Sequence, residues 1–417
     1  MRQFTRMLAA VALLLVICTM VGGSGTAQGD PSKYPPPNNN CRNTGSFEPW
    51  LAAFRKEAAA KGISRATIAA VLDGMTMDPG IIARDRRQGF FAQSFSAFSS
   101  KLISKNRLQS GAAQLKKHAA LLAKVEEKYG VQGPVIVAFW ALESDFGAGM
   151  GNLPVLRSLA TLAYDCRRPE MFRDEFMDAL RIIDSGDLRP EEMIGSWAGE
   201  LGQTQFLPSH YLKHAVDFDG DGRRNLMSSP ADVVGSTGAF MQHLGWQKGQ
   251  PWLQEVRVTK PLPWDQADLA IQHPRSKWAG WGVTQINGQP LPSDAMPASL
   301  VLPMGRFGPA FLAYENFQVY LKWNQSLNYA LTAAHLAARL AGAPAYAAPT
   351  AQIHDWSQEQ MKELQQQLAR RGYNVGEIDG KMGAGTRAGV KAAQIKFGLP
   401  ADSYPTPELL ERLRAAR

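Results

Sequence analysis

The segment that most restricts this 417-residue chain is PVIVAFWALESDFGAGMGN, residues 134–152. Residues 134–145 predict a helix that is apolar on nearly every side, and such a helix belongs in an interior. One carboxylate interrupts it near its end. Ile136, Phe139 and Trp140 lie seven, four and three residues before Glu143, so the acid shares a face with apolar side chains. The negative end of the helix dipole and these apolar neighbours both disfavour the charged form. Glu143 is therefore expected to hold its proton more tightly than a free glutamate, as a general acid near neutral pH must. Gly147, Gly149 and Gly151 follow, and they are expected to leave room for a bulky substrate at the helix end. A second reading stands beside this one: a buried glutamate satisfied by a backbone or hydroxyl partner. Position alone does not separate the two.

GSWAGELGQTQFLPSHY, residues 195–211, sets Gly, Ser, Thr and Gln among aromatic residues. That composition suits a sugar-binding wall, with ring faces for stacking and polar edges for hydrogen bonds, and it also suits tight helix-to-helix packing. ALESDFG, SLATLAYD, this stretch, VDFDGDGRRNL, GSTGAFMQHLGW and NFQVYLKWNQSLNYAL occur in that order. Together they resemble the lytic murein transglycosylases of the B type, glycoside hydrolase family 103. The resemblance runs over roughly residues 47–340, and its spread across several motifs makes it more specific than one glutamate in a helix.

The resemblance implies a lysozyme-like fold and non-hydrolytic cleavage of the MurNAc–GlcNAc β-1,4 bond of peptidoglycan, leaving 1,6-anhydro-MurNAc ends during cell wall turnover. It places the catalytic acid/base at Glu143, and Ser196 at the serine that hydrogen-bonds that acid. Gln205 matches a substrate-contacting glutamine; Trp323, Asn324 and Tyr329 match aromatic and polar positions near the site. Trp323 stands where family members often have Tyr, which keeps stacking and loses a phenolic hydrogen bond. No cofactor is required for the chemistry. Two other functions are weighed. A hydrolytic muramidase needs a second carboxylate, for which Glu200 is the serious candidate because Asp145 points to another face. A non-catalytic wall-binding scaffold would bind without cleaving.

Residues 28–45 lack periodicity and read as a polar, proline-rich tether. Helices are expected over roughly 47–62, 64–73, 107–129, 134–145, 154–164, 170–184, 230–244 and 324–340. Strand signals are few, and residues 282–303 suggest a small hairpin around Asn287-Gly288. The expected fold class is α+β, mostly α, with residues 46–340 as the catalytic domain. An Ala/Pro linker, 341–353, precedes a compact tail, 354–417. There, a helix, a turn at Asp379-Gly380 and two further helices would make a small three-helix bundle. Leu364, Gly372, Tyr373, Asp379, Gly380, Gly383 and Thr386 carry a resemblance to the peptidoglycan-binding domain type 1; Ala393 stands where Phe is common.

Arg2 and Arg6, an apolar stretch at 8–21 and Gly25-Thr26-Ala27 form an export signal, 1–27, cleaved near Ala27. The run falls short of the ~20 apolar residues of a membrane span. Bulky Ile17 before Cys18 argues against a lipoprotein. The mature protein is expected in the periplasm, where the remaining cysteines, Cys41 and Cys166, form a disulfide. The net charge of +8 is spread along the chain, which suits an acidic polymer and gives no nucleic-acid stripe. Peptidoglycan glycan strands are the expected partner.

DFDGDGRRN sets Asp217, Asp219 and Asp221 at positions one, three and five of a calcium loop, with Gly222 at the turn. Arg223 offers its carbonyl and Asn225 a further ligand. Ser228 replaces the bidentate glutamate of position twelve, which leaves Asp232 to substitute. A structural Ca2+ and an Asp/Gly turn held by its own hydrogen bonds both fit the sequence. A catalytic metal does not, because no His or Cys supports it.

Overall fold

The computed structural model describes residues 33–86 and 93–415. The expected leader and Cys18 lie outside them. Among the described residues, no helix is long and apolar enough to cross a membrane. The chain divides into two compact units, Met1–Gly89 with Ser110–Trp246, and Phe90–Gln109 with Gln247–Arg417.

In the first unit the apolar run becomes helix Gly133–Ser144, of which only Pro134 and Glu143 keep partial exposure. Helices Val155–Tyr164 and Pro169–Asp184 pack on each other, and Pro230–His243 packs on Gly133–Ser144 and on Ala119–Tyr129. Proline in the first turn starts several of these helices, where its missing N–H costs nothing. A two-stranded ladder of β1 (Leu153–Pro154) and β2 (Ile194–Gly195) pairs Leu153 with Gly195. A disulfide joins Cys41 to Cys166 across a Cα–Cα distance of 5.9 Å, just before helix Pro169–Asp184. Beside it the buried Asp85 carboxylate accepts from both Arg167 and Arg168.

Two helix expectations are corrected. Residues 107–129 are two helices, Lys105–Lys117 and Ala119–Tyr129, interrupted at His118 (φ −106°, ψ 20°), whose ring packs against Trp140. The helix expected over 324–340 starts three residues late. Helix Phe317–Trp323 ends at an extended Asn324, whose Oδ1 accepts from Ser326 N at 2.9 Å. Ser326 then caps helix Leu327–Leu340 by accepting from Tyr329 N.

The second unit holds an antiparallel sheet in the order β4-β6-β7-β3-β5, where β3 is Leu253–Val258, β4 His273–Pro274, β5 Val283–Gln285, β6 Pro297–Val301 and β7 Ala310–Ala313. The turn at Asn287-Gly288 forms, with Gly288 N donating to Gln285 O at 2.8 Å. A short hairpin closes on it, with Gln285 N donating to Gln289 O at 2.9 Å and an antiparallel bridge between Thr284 and Pro290; beyond it, β5 pairs with β3, and β6 pairs with β4 and β7. β7 is buried at every residue and β6 at all but its first, so neither alternates in the way that marks a half-exposed strand.

Helices Gln358–Ala369, Ala384–Lys396 and Pro407–Ala415 form the C-terminal bundle around Leu364, Leu368, Val390, Ala393, Leu409 and Leu413. Buried Gln365 organises its turn, donating to Lys381 O and Thr386 Oγ1 and accepting from Gly380 N. The bundle is fastened to the sheet region. Arg306 pairs with Asp402 at 3.1 Å and Lys391 with Asp268 at 2.9 Å, while Arg387 donates to Pro303 O at 2.6 Å. The linker is seated there too: Ala347 N donates to Glu255 Oε1 at 2.6 Å, and Thr350 N to Phe307 O at 2.8 Å.

Candidate active site

Glu143 is the penultimate residue of its helix. Directly after it the chain reverses through two non-glycine residues with left-handed backbone, Asp145 (φ 48°) and Phe146 (φ 62°). Such residues are strained and persist only where their surroundings hold them. Here Phe146 N donates to Trp140 O at 3.2 Å, and the Phe146 ring sits edge-on to Trp140 at 5.5 Å. Ser144 Oγ donates to Gln203 O at 2.6 Å and accepts from Gly147 N at 2.8 Å. Gln203, which the sequence reading missed, accepts from Trp140 Nε1 at 2.8 Å and donates to Met227 O at 3.0 Å.

These bonds draw the glycine loop under the 195–207 stretch, and the glycines have a second reason to be there. At Gly151 (φ 96°) a Cβ would lie 2.1 Å from Gly195 O, and at Gly147 (φ 92°) one would lie 2.8 Å from Gln203 Cδ. Close packing demands glycine at both positions, beyond the expected room for substrate. Gln205 bridges the same two segments from a left-handed backbone (φ 52°), its Nε2 donating to Met150 O at 3.2 Å and Gly202 O at 2.8 Å.

The Ser196 hydroxyl is part of a compact network with Glu200. It donates its single proton to Glu200 Oε2, and its oxygen accepts from Ala198 N and Glu200 N. A hydroxyl has one donor, and in this structure Ser196 gives it to Glu200. Burial pushes the Glu200 carboxyl up, against the pull of Ser196 and of the Arg168 charge. Trp323, Asn324 and Tyr329 belong to the second unit. Trp323 is fully buried and Tyr329 is 6 % exposed, so neither presents an open face for a sugar; Asn324 is half-buried. Trp323 is corrected from a stacking residue to a core residue.

In the Asp loop, the carboxylates of Asp217, Asp219 and Asp221 are exposed and approach within 4.8 Å of one another. Asp217 also holds the turn itself, accepting from Gly220 N at 2.6 Å and Gly222 N at 2.8 Å. The Arg223 side chain points away to Asp187 O and Glu192. Asp232 is fully buried, accepting from Phe218 N and Asn225 N at 2.7 Å each. Its carboxylate thereby holds the base of the loop together.

Residues 46–338 match the family described as transglycosylase SLT domain, and residues 357–413 match the putative peptidoglycan binding domain. The chain belongs to the transglycosylase SLT domain family. The chain is similar over 235 residues to the membrane-bound lytic murein transglycosylase B of Escherichia coli (strain K12), at 30% identity, covering 56% of this chain and 64% of that protein. The crystal structure of SltB3 from Pseudomonas aeruginosa in complex with NAG-anhNAM-pentapeptide is 44% identical, covers 89% of this chain and 100% of that one, and superposes with a TM-score of 0.83. Slt35 of Escherichia coli in complex with calcium is 28% identical, covers 73% and 97%, and gives a TM-score of 0.60. The helix-dominated α+β class, with a lysozyme-like SLT fold and a C-terminal helical bundle, agrees with these relatives.

The first unit also buries an acid that the sequence did not reveal. Glu175, on helix Pro169–Asp184, accepts from Ser209 N at 2.9 Å and Ser209 Oγ at 2.8 Å, so it caps helix Pro208–His214 at the end of the 195–207 stretch. Burial pushes its carboxyl up to about 7, against those two bonds.

Proposed function

We propose that this protein is a lytic transglycosylase that cleaves the MurNAc–GlcNAc β-1,4 bond of peptidoglycan without water and leaves 1,6-anhydro-MurNAc ends. The observation that carries the reading is Glu143: the one partly exposed side chain at the end of an otherwise buried helix, beside a strained reversal, inside an SLT domain. Protonated Glu143 donates to the glycosidic oxygen as the bond to the anomeric carbon breaks. The N-acetyl group of the substrate stabilises the cationic centre, an exception to two-carboxylate chemistry. Ionised Glu143 then takes the proton of the C6 hydroxyl of the same sugar, and that oxygen closes on the anomeric carbon. The nucleophile is already tethered, so attack gains from proximity over a free water. Every proton lent by Glu143 returns to it, and no cofactor enters.

Gln205 is the substrate-contacting residue in this reading, held between the two loops that flank Glu143. Glu200 is the weaker candidate for a second carboxylate, because its Oε2 is already taken by Ser196. The C-terminal bundle holds the enzyme on the wall. The division of labour is residues 46–340 for cleavage, 341–353 as connector and 354–417 for retention. The Cys41–Cys166 disulfide supports an oxidising, periplasmic setting after export. The spacing and exposure of Asp217, Asp219 and Asp221 fit a hard cation, and a Ca2+ there would brace the loop without joining the chemistry.

Mass analysis of soluble products from purified sacculi tests the proposal. Anhydro ends are expected. Reducing ends that carry added water would establish a muramidase instead, and intact sacculi with bound protein would establish a scaffold.

A further inference from the structure

A cavity of about 210 Å³ in the second unit has polar equipment that neither the SLT site nor the sheet uses. β3, the turn after β5, helix Leu327–Leu340 and the linker contribute its walls. His335 lines it from mid-helix, is only 3 % exposed, and has no hydrogen-bond partner at Nε2. Its neighbours along the helix, Ala334 and Leu336, are buried apolar residues, so packing alone would have favoured an apolar side chain. Burial, with the nearby Arg339 charge, drives the imidazole down to about 4, which leaves it neutral with one nitrogen free to accept.

Glu255 lines the same cavity from β3. Its carboxylate accepts one backbone hydrogen bond, from Ala347 N, and no Lys or Arg pairs with it among the described residues. Burial pushes this carboxyl up, because one amide does not replace the lost hydration. The rest of the lining includes Leu253, Phe311 and Pro344. A half-buried carboxylate without a cation selects a positive charge over a neutral hydroxyl. Hydrogen-bond acceptors in place of an aromatic cage favour a primary ammonium over a quaternary one. The volume is below the ~300–1,000 Å³ of sites for drug-sized ligands, so the hydrocarbon is a few carbons long.

We propose that this cavity binds a short primary alkylammonium ligand, with the ammonium on Glu255, the hydrocarbon against Leu253 and Phe311, and His335 Nε2 accepting a hydrogen bond. Binding gives the Glu255 carboxylate a cationic partner and satisfies the buried imidazole. The test is saturation-transfer NMR on the full-length protein at neutral pH, with n-pentylammonium and n-pentanol as probes. Pentylammonium is expected to bind in the millimolar range, and pentanol about tenfold or more weakly. Glu255→Gln keeps an acceptor for Ala347 N, so the fold is retained while the preference for the ammonium is lost. Ala338→Leu fills the cavity from a helix-compatible position and removes binding. Equal binding of the two probes, undiminished pentylammonium binding in Glu255→Gln, persistence in Ala338→Leu, or no binding to the parent protein would each overturn the assignment.

Discussion

Replacing Gly151 with alanine tests whether the glycine loop is built around close backbone contact. The new Cβ would lie 2.1 Å from Gly195 O, 2.4 Å from Gly195 C and 2.8 Å from Ser196 N. All three are backbone atoms, so no side chain can rotate away. The residue must also keep φ near 96°, which costs a non-glycine residue about 1–2 kcal/mol. Overpacking adds about 1–3 kcal/mol. The sum, roughly 2–5 kcal/mol, corresponds to a fall of about 10 °C in Tm for a unit of this size. Relief comes by opening the Leu153–Gly195 pairing, which moves the segment carrying Ser196 and Gln205 away from Glu143. A displacement near 1 Å at a reacting centre can cost about 100-fold in rate. Gly149→Ala is the control. Its Cβ would meet Ser144 O at 3.4 Å with no positive φ to maintain, so a change within about 0.5 kcal/mol is expected. Calorimetry with release of soluble material from sacculi measures both effects. If Gly151→Ala melts and turns over like Gly149→Ala, the close-contact argument is wrong.

Glu143→Gln keeps shape and removes the transferable proton, so turnover of sacculi should fall by about 10²–10⁴ while glycan binding persists; near-normal turnover would remove Glu143 from its role. Glu200→Gln should be much milder in the same assay. Glu175 gives a pH signature. Its folded carboxyl titrates at about 7 against 4.5 ordinarily, so the unfolded chain releases this proton first as pH rises. Stability from this group is complete below about pH 4.5 and is lost as pH climbs through 7, by about 3 kcal/mol. Urea midpoints at pH 5 and pH 8 should therefore differ less for Glu175→Gln than for the parent protein, and parallel profiles would contradict the burial argument. Millimolar Ca2+ should raise the Tm of the parent protein and not that of Asp219→Asn; no rise in either would leave the Asp loop as a turn held by its own amides.

How much of this could be read in the sequence follows from where the information lies. Helix Gly133–Ser144 was legible because a run apolar on every side has few other places to go. The reversal after it was not, because Asp145 tolerates a left-handed backbone without requiring one and Phe146 does not favour it at all. The sheet escaped because its strands are two to six residues long and pair with partners distant in sequence. Gln203 stands in plain view in GQTQF, yet only the fold shows it holding Trp140 and the 227 backbone together. Trp323 looked like a stacking platform by analogy, and its burial decided otherwise.

The fastening of the C-terminal bundle has a consequence for any attempt to remove it. Asp402, Arg387 and Lys391 are side chains of the bundle, but Arg306, Asp268 and the Pro303 carbonyl belong to the sheet region. A stop codon in the linker would strip partners from two ion pairs and from the Pro303 carbonyl. It would also delete the amide that serves Glu255 if placed before Ala347. Truncation here cuts a shared polar seam, and lost retention on sacculi after such a cut would report a disturbed sheet region as readily as a missing anchor. Point changes on the outer face of the bundle are the cleaner instrument.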